Sequence, residues 1–186
     1  MGEKKDLTAI GLEILDSARS ELYLNLPYLD AALCALSFES GEGKTIFTAT
    51  DGEHLYYDGN YLAERFLRSR TLVNRIYLHS ILHCMLRHLG KKRGKDPELW
   101  DLSCDIAVES ILDGLDYPCL AQGTRPARET LYGRLRRQMP VLTAEGIYRY
   151  LLRRNLSEYE LAQLQRRFLV DDHGLWDQQQ EDQNQK

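Results

Sequence analysis

Two histidines, His79 and His83, stand four residues apart in a strongly apolar stretch between Tyr77 and Leu86. Residues i and i+4 share one face of a helix, so each ring can offer a nitrogen to one cation at about 2 Å, and zinc is the ion such a pair suits. Two ligands do not complete a site. The best-placed third is Asp105, 22 residues beyond His83, with Glu109 one turn later as the reserve.

A zinc peptidase with this spacing carries glutamate directly after the first histidine, where it takes a proton from metal-bound water and passes it to the leaving amine. This chain has Ser80 there. A serine hydroxyl has no accessible basic form at neutral pH, and losing a positioned acid–base group costs on the order of 10² to 10⁴ in rate. Glu109 or Asp101 are the carboxylates that could substitute. Metal binding and peptide hydrolysis are therefore separate questions in this sequence.

Two further histidines are accessory candidates. His88 falls about 180° from His79 on a helix that continues to Leu89, and no glycine turn lies between Cys84 and Arg87, so it is expected to cap the helix end or bond a loop. The pair Asp172-His173 could reach the site from the C-terminal side as ligand or proton relay. The favoured expectation is a polar turn anchored by Trp176.

Positioning these groups falls to a mostly helical chain. Apolar residues from Leu7 to Leu22 recur near the helical period, and a second helix is expected from Pro27 to about Ser37. The β-prone runs Lys44 to Thr50 and Glu53 to Tyr57 flank Asp51-Gly52, a favoured two-residue turn, and predict a hairpin as the one β-structure of consequence. A helix of about ten residues follows Asn60. The helix bearing His79 and His83 is expected to run from near Thr71 to Leu89, capped by Gly90, and to be buried, because its apolar residues point nearly all round the axis. Lys91 to Asp96 reads as a solvated basic loop, Asp96-Pro97 as the start of a helix reaching Gly114, and residues 115–140 as irregular. Thr143 caps the next helix, and Ser157 with Glu160 forms a capping box for the last. The fold class is α+β, mainly helical.

With 186 residues, 43% of them apolar, the chain suffices for one compact domain, placed at residues 1–176, followed by a polar tail or linker, 177–186, expected to be disordered. No apolar run approaches the eighteen or so residues that span a bilayer, and the N-terminus opens an amphipathic pattern rather than a signal sequence, so no membrane association and a cytoplasmic location are expected. Cys34, Cys84, Cys104 and Cys119 form no CxxC pair and read as buried free thiols. The net charge of -4 arises from residues 170–186, without which 23 basic and 23 acidic residues remain. A neutral body argues against nucleic-acid binding. The arginines at 125, 128, 134, 136 and 137 read as solvated surface, with docking of an acidic partner as the alternative.

In combination the residues resemble a bacterial, zincin-like metallopeptidase domain that usually precedes a von Willebrand factor A-like domain. The resemblance covers roughly residues 5–176 and is carried by Thr48-Ala49-Thr50-Asp51-Gly52 with Leu55-Tyr56-Tyr57, by His79 to His88, by Asp96-Pro97-Glu98-Leu99-Trp100, by Asp105-Ile106-Ala107-Val108, by Thr143-Ala144-Glu145-Gly146-Ile147-Tyr148 and by Asp171-Asp172-His173-Gly174-Leu175-Trp176. It implies a zincin-like fold, a zinc ion held by His79, His83 and Asp105, and a von Willebrand factor A-like domain as partner. Ser80 departs from it, since the family carries its catalytic glutamate there. The expectation is a zinc-binding, peptidase-like domain with impaired hydrolysis. Its alternative is a non-catalytic module that binds a peptide or protein.

Overall fold

The computed structural model describes residues 2–176, with side chains from Leu7 onward, and the chain forms two compact units. The first contains the residues up to Gly90, 116–122 and the stretch from Val170; the second contains 91–115 and 123–169. The polar stretch 177–186 lies outside the described residues, and its expected disorder with it. Helices dominate and one small sheet accompanies them, as the α+β expectation holds. Among the described residues no helix is long and apolar enough to cross a membrane.

In the first unit, α1 (Gly2–Asn25) buries Ile14, Leu15, Ala18 and Leu22, the stripe its periodicity predicts. Gly11 admits the Tyr57 ring, from which a Cβ would stand only 2.5 Å. Arg19 ties this helix to its neighbours: Nε donates to the Tyr77 hydroxyl at 3.1 Å, Nη2 donates to the Leu36 carbonyl at 2.7 Å, and the guanidinium lies 3.9 Å over the Phe38 ring.

The helix expected to reach Ser37 stops early. A 3-10 turn, Pro27–Leu29, leads into the single turn of α2 (Asp30–Leu33), and Ser37–Ser40 forms β1. The hairpin follows as β2 (Thr48–Thr50) and β3 (His54–Tyr57), paired antiparallel with Thr50 opposite Leu55. Its turn is held by Asp51, whose Oδ1 accepts from the backbone N–H groups of Glu53 and His54, while Gly52 takes a φ of 95°. β1 adds to β3 in parallel, so the hairpin is two strands of three, in the order β1-β3-β2. That pairing satisfies β1's backbone with a partner distant in sequence, an influence that outweighs local helix preference.

After α3 (Gly59–Arg68), α4 (Arg70–Met85) carries the histidines, and every residue from Val73 to His83 is buried. It ends four residues before the expected Leu89. Leu86 closes it, Arg87 turns left-handed with a φ of 58°, and the N–H groups of Arg87 and His88 return to the carbonyls of Cys84 and His83 at 3.0 Å each. This is a Schellman motif built on arginine, in the conformation for which glycine is usually required. The last described segment then lies along β2: Asp172 N–H donates to the Thr48 carbonyl at 2.7 Å, and Leu175 packs with Ala49 and Tyr56.

In the second unit, α5 (Pro97–Leu112) starts where Asp96-Pro97 predicts, Asp96 Oδ1 accepting from Leu99 N–H at 2.9 Å. Residues 115–140 are not wholly irregular, for α6 spans Pro126–Arg136. Pro126 sits in its first turn, where proline is tolerated, and nothing approaches Gly133 closely. α7 (Ala144–Arg154) and α8 (Glu158–Phe168) begin at the predicted Thr143 cap and Ser157/Glu160 capping box. Two basic segments are less solvated than expected. Lys92 is buried and pairs with Asp101 at 3.1 Å, and Arg128, only 5% exposed, donates to Glu109, to Asp113 at 3.4 Å and to the Arg167 carbonyl at 2.6 and 2.9 Å. The cysteines are free, but only Cys104 and Cys119 are buried. Cys84 is half-buried and Cys34 exposed. Burial pushes the Cys84 thiol up to about 11, which keeps it protonated at neutral pH.

Candidate metal centre

The site lies in the first unit, where α4 meets the segment 171–176. His79 and His83, one helical turn apart and fully buried, point their Nε2 atoms at each other across 2.8 Å. Asp171, 1% exposed, brings Oδ1 to 3.2 Å from His79 Nε2 and 3.0 Å from His173 Nε2. The His173 ring stacks on Trp176 with centroids 3.7 Å apart at 20°, and Trp176 also lies 4.9 Å from the His83 ring. One nitrogen from each of three imidazoles and one carboxylate oxygen thus fall within 4.8 Å of one another.

Protons alone satisfy this arrangement poorly. Two facing Nε2 atoms can share only one proton between them. Asp171 Oδ2 is buried and has no hydrogen-bond partner among the described residues. Burial by itself would raise the Asp171 carboxyl, but the imidazoles of His173 and His79 outweigh it and hold the group well below the usual carboxylate range. An ionised carboxylate and three imidazoles in a water-poor interior call for a cation. Three nitrogens and one oxygen are a donor set that suits zinc. Ligands of a tetrahedral zinc stand about 3.3 Å apart, close to the 2.8–3.2 Å separations found here. The residues present fit the ion.

A fourth histidine stands behind the cluster. His88 Nδ1 lies 3.0 Å from His83 Nδ1, so the ring nitrogen that His83 turns away from the cluster has a fixed partner. The early stop of α4 makes this possible, since the left-handed Arg87 folds His88 back instead of leaving it on the opposite face. The turn expected around His173 also forms, Asp172 Oδ1 accepting from Gly174 N–H at 2.9 Å, yet His173 itself enters the cluster.

Ser80 is buried, and its hydroxyl donates to the Ile76 carbonyl at 3.4 Å, a bond within its own helix. Asp105 and Glu109 are carried by the second unit; both are buried, and Glu109 is paired with Arg128. Asp171 was not singled out by spacing. Its only sequence signal is its place two residues before His173 in a stretch that resembles the family pattern.

A family model described as "Putative metallopeptidase domain" matches residues 13–185. No curated protein and no solved structure matches the chain.

Proposed function

The chain belongs to the Putative metallopeptidase domain family, and on that premise we propose that its first unit is a zinc-binding site that does not hydrolyse peptides. His79, His83, His173 and Asp171 are the proposed ligands, and what supports them is their convergence in a buried cluster that includes an unpartnered carboxylate oxygen. Asp105, nominated by sequence order, is the alternative carboxylate ligand to Asp171, and Asp105→Asn, expected to retain zinc, tests it separately. Four protein donors close a zinc site and suit a structural role, whereas catalytic sites keep a position open for water. When bound, zinc would neutralise the buried carboxylate and link α4 to the segment 171–176. His88 would hold the His83 ring in the orientation that presents Nε2. Ser80 could supply no base, because its hydroxyl is bonded to the helix backbone and cannot ionise at neutral pH. A domain that keeps the fold without the base is suited to binding a protein partner, for which a von Willebrand factor A-like domain is the proposed example.

Metal analysis of protein purified without chelators tests the first claim: one zinc per chain is expected, lost in His79→Ala, with EDTA lowering the melting temperature. Absence of zinc together with indifference to EDTA would remove it. The second claim is tested on a mixed peptide library. No turnover is expected, and turnover abolished by His83→Ala would overturn the non-hydrolytic reading.

A further inference from the structure

The second unit carries a groove that the metal site does not use. It is formed by α6, α7 and α8, encloses about 250 Å3 and has an apolar floor from Leu131, Leu151, Leu156 and Leu164. Small-molecule pockets usually run from about 300 to 1,000 Å3 and are deeply enclosed. A smaller open trough between helices instead suits a few apolar anchors from one face of a helix.

Its rim is cationic. Arg134, Arg154 and Arg167 line it and are exposed. The Arg134 and Arg167 guanidinium groups have no ion-pair partner among the described residues, while Arg154 reaches Glu160 only at 4.0 Å. Glu160, the groove's one acidic group, is occupied by the Ser157 cap. From Pro126 to Leu169 the sequence has nine arginines against four glutamates, in a protein whose net charge is -4. Arg128 is excluded from the rim, because it is buried on Glu109.

We propose that this groove docks an acidic amphipathic helix from a partner protein, with apolar side chains at i, i+3 or i+4 and i+7 seated on the leucines and flanking Asp or Glu side chains paired with Arg134, Arg154 and Arg167. Charge complementarity fixes the sign of the partner. The floor itself is leucine, which offers a nucleobase neither a stacking face nor a hydrogen-bonding edge and suits apolar peptide side chains. Tyr159, 73% exposed at the groove edge, adds an aromatic contact of the kind enriched in binding hot spots.

The test is selection of a random peptide display library, with inserts three to four helical turns long, against the whole chain. A counter-selection uses the Arg134→Glu/Arg167→Glu variant, whose changes lie on exposed side chains and whose fold is checked by circular dichroism. The expected result is enrichment of negatively charged sequences with apolar residues at helical spacing. Synthetic versions should bind at least about tenfold more weakly to the variant and weaken as salt rises. Leu164→Ala, which removes part of the floor and leaves the charge, should weaken them as well. Enrichment of basic or uncharged peptides, equal binding to the variant, no enrichment above the variant's background, or an oligonucleotide competing as well as the selected peptides would each overturn the proposal.

Discussion

The Nδ1 atoms of His83 and His88 lie 3.0 Å apart, which makes one histidine the orienting partner of another. One donates and the other accepts, and the bond fixes which nitrogen His83 presents to the cluster. His88→Ala should therefore lower zinc affinity by about 10- to 100-fold without removing a ligand. His88→Gln should restore part of the loss. Competition with a chromophoric chelator measures both, and unchanged affinity in His88→Ala would show that His83 needs no such support.

Arg87 provides the geometry on which that bond depends. A β-branched residue is a genuine outlier at a φ near 58°, so Arg87→Val should cost about 1–2 kcal/mol and weaken zinc binding along with it. Arg87→Gly accepts the same angle and should retain both stability and zinc. Equal denaturation midpoints for the two variants would contradict the assignment.

Asp171→Asn preserves shape and removes the buried charge. With zinc at a hundredfold above its dissociation constant, stripping the wild type with EDTA should lower its melting temperature by about 5–10 °C. The variant should lose most of that difference, its apo form melting no lower than apo wild type. Scanning calorimetry with and without EDTA decides it, and an undiminished EDTA shift would exclude Asp171 as a ligand.

Arg128 and Glu109 form a buried pair whose separation should be costly. Arg128→Met leaves the Glu109 carboxylate without its nearest cation in an interior where it is 2% exposed, a change expected to cost about 3–5 kcal/mol. Adding Glu109→Gln should recover much of it. Urea denaturation of the single and double variants measures the recovery, and a double variant no more stable than the single would mean the loss comes from packing.

The hairpin turn should show a pH signature. At Asp51, burial favours the neutral acid, but the N–H groups of His54 and Glu53 and the His54 ring outweigh it, so its carboxyl lies below the ordinary 3.8. The same pair raises His54 above the ordinary 6.5, through its hydrogen bond to Asp51. Asp51's contribution is lost as pH falls through its lowered value, and His54's is lost as pH rises through its raised one, so the pair stabilises most between roughly pH 4 and pH 6.5. NMR titration should place the His54 midpoint above 6.5 and Asp51→Asn should bring it down. A wild-type midpoint at or below 6.5 would disprove the coupling.

Local pattern made His79 and His83 visible, because the 3.6-residue period sets two rings on one face whatever the remainder of the fold does. The caps at Asp96, Thr143 and Ser157 were legible for the same reason, each being settled within four residues, whereas the expected two-residue Asp51-Gly52 turn is a longer loop, because Thr50 pairs with Leu55 and leaves residues 51–54 between them. Asp171 was not legible, since its segment is brought to α4 by contacts remote in sequence, among them the hydrogen bond from Asp172 to Thr48 and the packing of Leu175 on Ala49 and Tyr56. His88 lies on the opposite face only of a helix that runs on to Gly90; the left-handed turn that folds it back falls at Arg87, where no glycine marks it. β1 escaped notice since its partner strand lies 17 residues away, and α6 because Pro126 and Gly133 look like breakers yet occupy positions where a helix tolerates them.

The pairing of α4 with the segment 171–176 also imposes a timetable on synthesis. His83 leaves the ribosome 88 residues ahead of Asp171, which at about 5–20 residues per second is an interval of roughly 4–18 s. During that time the nascent chain displays two histidines without the carboxylate or the third imidazole, a partial chelate open to whatever metal is at hand. For the proposed zinc site, loading would then depend on how readily that early complex exchanges once Asp171 and His173 arrive.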